Sequence, residues 1–210
     1  NQMKLYNYKK KLKILDIKNI DKRKINNNYL NVLDIHFKGS ARKIYHNKLL
    51  RNYLNTSFNI AFKLIDNGVT NKLINGPINK TNFLNRKFLG ITEYISNKFK
   101  KKNTGMLIYN KKLSVCPVTT HLPLKMVAKT ITKKLISEKI DLIDNFFKKH
   151  LKIKAKIAVT GLNPHCESIS RFNEDEKIIP FLIKKKMKKN INIKGPYSAD
   201  TIFLKQNRKK

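Results

Sequence analysis

The sequence is short of acidic residues, of cysteine and of long apolar runs. It carries 13 Asp+Glu against 47 Lys+Arg, a net charge of +34. Such a balance ordinarily suits nucleic acid or an acidic surface. Here the excess is nearly all lysine, abundant Asn and Ile accompany it, and the lysines are spread along the chain instead of forming one block. Those three residue types share A/T-rich codons, so genome composition accounts for the charge and no specific nucleic-acid partner is expected. The two cysteines, Cys116 and Cys166, make neither a disulfide framework nor a zinc-finger spacing, which fits a reducing, cytoplasmic compartment. No apolar run approaches the ~20 residues of a membrane span, and no secretory signal opens the chain. The first residue is Asn1 and not Met, so the N-terminus is read as cut or incomplete. There is no internal repeat, no low-complexity linker and no Gly-rich dinucleotide fingerprint. The length, 210 residues at 40% hydrophobic, suffices for one large domain or two small ones with a buried core.

What is present reads as alternating strands and helices. Leu12, Ile14, Leu15 and Ile17 suggest a first strand and residues 30–37 a second, with His36 on its polar, solvated face. Apolar residues at three- and four-residue steps predict a helix over 41–66, closed by Asn67-Gly68. Leu73-Ile74 reads as a short strand ending in a turn at Asn75-Gly76-Pro77. Residues 106–109 and 113–119 read as pairing strands. Residues 125–150 read as helix in two pieces, with Thr132 capping the second and Leu135, Ile136, Ile140, Leu142, Ile143, Phe146 and Phe147 buried. His150 ends that helix as a cap suited to the dipole. Residues 174–189 read as helix kinked or split at Pro180, with acidic residues at its start and a solvated lysine run at its end. Gly195-Pro196 reads as a turn.

The chain is organised around Ile-Ala-Val-Thr-Gly-Leu-Asn-Pro-His-Cys-Glu-Ser, residues 157–168. A short apolar strand breaks at Gly161 and Asn163-Pro164, and His165 follows at once. Open α/β sheets place their chemistry just past the carboxyl ends of strands. Residues 113–120 repeat the arrangement, with His121 next. Each histidine alone is more often a hydrogen-bonded loop residue than a metal ligand; the repeated context brings the two readings level. Lys80, after the turn at 75–77, suits either a phosphate or plain solvent. Asp200 suits either the site or the cap of a short helix.

Five stretches in order then show a resemblance. Ile-Asn-Gly-Pro-Ile-Asn-Lys (74–80), Gly-Ile-Thr-Glu-Tyr (90–94), Thr-Thr-His-Leu-Pro-Leu (119–124), Gly-Leu-Asn-Pro-His (161–165) and Gly-Pro-Tyr-Ser-Ala-Asp-Thr-Ile-Phe (195–203) resemble the 4-hydroxythreonine-4-phosphate dehydrogenase family. The match is specific over residues 72–203 and weak before that. It implies a three-layer α/β/α fold of the isocitrate and isopropylmalate dehydrogenase type, with residues 1–70 as a weakly matching N-terminal part, 71–204 as the substrate- and metal-binding, dimer-forming part and 205–210 as a basic tail. It also implies a cytoplasmic homodimer, a phosphorylated small-molecule substrate and no membrane. The implied chemistry is NAD-dependent oxidation of a secondary alcohol and loss of carbon dioxide, in pyridoxal phosphate (pyridoxine) biosynthesis. A divalent cation such as zinc, cobalt or magnesium would assist. By motif, His121 and His165 correspond to two of the family's three metal histidines, and no general acid or base is assigned. The family's Gly-His-Thr-Glu motif holds the substrate phosphate through His and Thr. Thr92 matches, and Ile91, at the position of the His, cannot donate a hydrogen bond. Glu167 and Ser168 replace the family's Gly-Glu. The third histidine, in a Tyr-His-Asp-Gln-Gly segment, the C-terminal Lys, Asn and Arg and the N-terminal Gly-Glu-Pro-Ala-Gly-Ile-Gly-Pro segment are absent, so the chain is expected to be an incomplete copy or an inactive one. The alternative, a basic non-catalytic nucleic-acid-binding protein, is favoured by charge but by no motif.

Overall fold

The computed structural model describes residues 5, 7–20, 25–37, 47–167 and 173–207. The expected helix start at 41–46, Ser168 and the tail residues 208–210 lie outside the described residues. The chain clusters into two units, Asn1–Ile91 and Thr92–Lys210.

In the first unit β1 (Lys11–Leu15) pairs in parallel with β2 (Tyr29–Leu33), from Lys11↔Tyr29 to Leu15↔Leu33. Both strands are shorter than the apolar pattern predicts. β1 stops before Ile17 because Asp16 accepts from the Lys18 amide at 2.9 Å and starts a single helical turn. His36 lies past the end of β2 and is exposed, as a solvated histidine should be. The predicted amphipathic helix is α1 (Asn47–Asp66), which buries Phe58 and Phe62. Phe83 of α2 (Lys80–Leu84) stacks on Phe58 at 5.1 Å between ring centroids. α1 closes as expected: Gly68 takes a φ of +70°, its amide donates to Ile65 at 3.0 Å, and Val69 donates to Leu64 at 2.9 Å. The short strand expected at Leu73-Ile74 does not form. Ile74 is 96% exposed and no strand pairs with it among the described residues. Two apolar residues without a hydrogen-bonding neighbour do not hold an extended ladder.

The second unit opens at Thr92, the second residue of α3 (Ile91–Lys98). Then come α4 (Leu124–Thr130) and α5 (Lys133–Phe146), broken where predicted, with the Thr132 hydroxyl accepting from the Leu135 amide at 3.2 Å. A π turn, Phe147–Leu151, ends α5 and carries Lys148, Lys149 and His150 in its last turn, where positive charge suits the helix end. The buried stripe of α5 is Ile136, Ile140 and Asp144, at steps of four. Phe146, expected inside, falls off that stripe and is 39% exposed. The strand pair expected at 106–119 reduces to one antiparallel bridge, Ile108↔Val115. Pro117 removes a ladder donor from the run.

β3 (Ile157–Thr160) pairs in parallel with β4 (Ile193–Tyr197). The Gly195-Pro196 pair expected as a turn therefore lies inside a strand. Proline cannot donate to the ladder, and the register slips between Ala158 and Thr160 before the Gly161 amide donates to Tyr197 at 2.9 Å. Gly195 has a φ of +143°, and a Cβ there would run into the Val159 carbonyl. Between these strands the helical stretch splits at Pro180 as predicted, into α6 (Glu174–Lys177) and α7 (Ile179–Met187). The core joins Ile136 and Ile140 of α5, Ile178, Ile179, Leu182 and Ile183 at α7, and Ile191 and Ile193 at β4.

One member of the lysine run is not solvated. Lys186 is 2% exposed, and its ammonium donates to both carboxylate oxygens of Asp141 on α5, at 2.5 and 2.6 Å. Helical spacing puts position 186 on the same stripe as Ile179, Leu182 and Ile183. The aliphatic stem packs in the core while the charge reaches a partner. Breaking a fully buried pair costs about 3–5 kcal/mol. Asp141 is 44% exposed, so Asp141→Asn is expected to lower stability by a smaller amount, roughly 1–3 kcal/mol. A denaturant midpoint measures this, and adding Lys186→Met to Asp141→Asn should recover part of the loss. An unchanged midpoint in Asp141→Asn would show that the pair contributes nothing net.

Candidate active site

The loop that follows β3 is shaped by a buried carboxylate. Asp175, at the start of α6, is 0% exposed. It accepts hydrogen bonds from the Leu162 amide at 2.7 Å, the Asn163 amide at 2.8 Å and the Asn163 side chain at 3.1 Å. Asn173 caps α6 by accepting from the Asp175 amide at 2.9 Å. Past this turn Pro164–Cys166 forms a single helical turn, inside which His165 has a φ of 54° and a ψ of 12°. His165 is exposed.

Asp200 lies within electrostatic reach of His165. The Ser198 hydroxyl donates to Asp200 and holds its carboxyl below the usual carboxylate value, and the neighbouring imidazole adds to that effect. Cys166 is half-buried, and burial, then the Asp175 charge, push its thiol upward, so it is not a thiolate nucleophile at neutral pH.

His121 shares the conformation of His165, with a φ of 56°. Left-handed backbone is uncommon outside glycine and, in bulky residues, persists where the surroundings enforce it. His121 lines a cavity of about 80 Å³ together with Thr92, Glu93, Thr120 and Lys139. Two predicted site residues, Thr92 and His121, are thus brought together. His165 is not part of that lining. Lys80 is the exposed first residue of α2, in the first unit, and Ile91 opens α3 half-buried. The two charged residues of the cavity were not singled out as site residues by the sequence. Lys139 donates to the Thr104 carbonyl, and Glu93 keeps its Oε2 buried with no hydrogen-bond partner. Lys139 was hidden among many lysines, its one signal being its place beside the apolar stripe of α5. Asp175 read as an ordinary acid at a helix start.

Imidazole and carboxylate donors suit zinc or a similar divalent ion. His121, His165 and Asp200 fit such an ion in kind. No group of three or more His, Cys, Asp or Glu gathers for one among the described residues. No helix among them is long and apolar enough to cross a membrane.

Compared with known proteins, the chain is 39% identical over 147 residues to the 4-hydroxythreonine-4-phosphate dehydrogenase of Neisseria meningitidis serogroup A, covering 69% of this chain and 44% of that one. It is 29% identical over 147 residues to the D-threonate 4-phosphate dehydrogenase of Salmonella typhimurium, covering 69% of this chain and 45% of that one. The chain therefore spans less than half the length of these curated relatives. The crystal structure of 4-hydroxythreonine-4-phosphate dehydrogenase from Klebsiella pneumoniae superposes with a TM-score of 0.71 at 22% identity, over 94% of this chain and 62% of that one. That likeness shows a shared fold, an α/β architecture in agreement with the parallel strand pairs and intervening helices. A family model described as "Pyridoxal phosphate biosynthetic protein PdxA" matches residues 2–210, and the chain belongs to that family.

Proposed function

We propose that this chain is the substrate- and metal-binding part of an NAD-dependent dehydrogenase that oxidises and decarboxylates 4-hydroxythreonine 4-phosphate on the route to pyridoxal phosphate. Residues 71–204 would carry those sites, within a three-layer α/β/α arrangement. The observation that carries the reading is the pair of left-handed histidines, His121 at φ 56° and His165 at φ 54°, each in a motif of the family. Both relatives named above act, by their names, on 4-phosphates, and the cavity beside His121 suits such a group. Its volume, about 80 Å³, is far below the ~300–1,000 Å³ of a whole ligand site. It holds one end of a substrate. Thr92 and the first-turn amides of α3 would donate to the phosphate. Lys139 would supply the charge that Ile91 does not. The unpartnered Glu93 oxygen would accept from a hydroxyl or ammonium of the substrate. His121 and His165 would share a divalent cation, zinc, cobalt or magnesium. When bound, the cation polarises the alcohol oxygen and stabilises the negative charge left by decarboxylation. The unpaired Cys116 and Cys166 agree with a reducing, cytoplasmic setting.

A homodimer belongs to this reading. Ile108, Tyr109 and Leu124, all in the second unit, are 61%, 48% and 88% exposed. We take these three as candidate partner contacts, because an apolar patch left open to solvent marks an interaction site. Light scattering is expected to show a dimer that Ile108→Asp with Leu124→Asp turns into a monomer; a monomeric wild-type chain would sink this part.

Calorimetric titration with zinc should show one site, weakened at least about tenfold by either His121→Ala or His165→Ala, since losing a direct ligand should exceed the ~10- to 100-fold cost of losing an outer-shell partner. A site indifferent to His121→Ala would refute the shared cation. For the phosphate, Thr92→Val and Lys139→Met should each weaken binding of 4-hydroxythreonine 4-phosphate by about 1.5–3 kcal/mol for a charged hydrogen bond, roughly 10- to 150-fold. Ile91→His should tighten it. Equal binding by wild type and Lys139→Met would remove the phosphate from this cavity.

A further inference from the structure

The turn that delivers His165 is held from outside the loop. Three N–H groups, the amides of Leu162 and Asn163 and the Asn163 side chain, converge on the carboxylate of Asp175 at 2.7, 2.8 and 3.1 Å. Hydrogen bonds to an ionised acceptor are roughly twice as strong as neutral ones. Gly161 leaves room for this acceptor. A Cβ there would stand 3.0 Å from Asp175 Oδ2 and 2.7 Å from Cys166 Sγ. Beyond the turn, His165 and Cys166 take successive φ values of 54° and 63°. A left-handed pair of non-glycine residues costs about 1–3 kcal/mol per residue and lasts only where its surroundings over-determine it. The His165 side chain is exposed and cannot supply that restraint by packing.

We propose that Asp175 is the positioning residue for His165: its carboxylate fixes the Gly161-Leu162-Asn163 turn, and the fixed turn imposes the left-handed backbone that presents the imidazole to the cation. The inference rests on the reading of His165 as a metal ligand. Asparagine at 175 would keep one acceptor oxygen and set an NH₂ against the other backbone donor. Alanine at 161 would displace Cys166 Sγ and crowd the same carboxylate while leaving it charged. The two substitutions reach one turn by independent routes.

The test uses the full chain, zinc as probe and two readouts. Zinc affinity is measured by calorimetry for wild type, His165→Ala, Asp175→Asn, Gly161→Ala and Asp141→Asn, the last a destabilised control remote from the loop. Amide exchange of Leu162 and Asn163 is followed by NMR. Asp175→Asn and Gly161→Ala should each weaken zinc binding about tenfold or more, the effect of losing an outer-shell partner, and should speed exchange at both amides. Asp141→Asn should leave zinc binding within about twofold, because its effect is on global stability and not on this site. If His165→Ala weakens zinc binding and both loop variants do not, the positioning role is overturned while the ligand reading survives. If His165→Ala leaves zinc binding unchanged, the ligand reading falls and the inference with it. Unaltered exchange at Leu162 and Asn163 in Asp175→Asn would overturn the hold on the turn itself. Should Asp175→Asn fail to fold, Gly161→Ala decides by the same outcomes.

Discussion

A buried carboxylate that binds successive backbone amides is the constraint on which the rest of the second unit depends. β3 delivers the chain into the interior edge of the core, and Asp175 stops it there by capturing Leu162 and Asn163. The same residue begins α6, whose cap, Asn173, is itself 1% exposed. One charge therefore ties a strand end, a loop and a helix start, and the core stripe of α7 follows two residues after α6 begins to close. An unsatisfied buried backbone donor costs about 1–3 kcal/mol, so the loop has few other ways to leave the strand. No single bond need be large for the arrangement to be unique.

Local signals made much of this legible. Helices announced themselves by apolar spacing and by their ends: Gly68 after α1, Thr132 between α4 and α5, Pro180 at the head of α7. β3 was legible because it is mostly β-branched and closed by turn formers, although its residues alternate between half-buried and exposed and none is fully buried. What failed were short apolar stretches whose fate depends on a partner far away in sequence. Among the described residues Leu73-Ile74 had no strand to join, and Val115 found Ile108 alone. Gly195-Pro196 looked like a turn because its pairing with β3 relies on a register slip that only the partner strand defines. At the site, motif residues were visible as types and positions. Their company was not. Thr92 and His121 meet in a cavity with Lys139, which arrives from α5 and bears no mark beyond its place beside the apolar stripe.

On the proposed function, the site has two regions with separate origins. One is the cavity lined by Thr92 and Lys139, which would take the anionic end group. The other is the loop after β3, where His165 stands near Asp200. The relatives act on substrates that share a 4-phosphate and differ in the acid that bears it. Recognition common to the family would then belong to the region of Thr92, and discrimination between substrates would belong elsewhere. On this reading the replacement at Ile91 would remove one hydrogen-bond donor to the shared end.

The lysine buried in α7 bears on how such a chain evolves. Codon drift toward lysine is harmless on a surface and ruinous inside, unless the interior position can send its charge to a carboxylate. Position 186 survives the drift because Asp141 waits at the far end of the side chain. With 13 acidic residues in the whole chain, such partners are scarce. Asp141 is thereby tied to position 186: its loss would leave a buried ammonium without its carboxylate, a cost that would vanish if the helix carried leucine there. A lysine-rich composition can in this way make one residue depend on another that the site's chemistry never asked for.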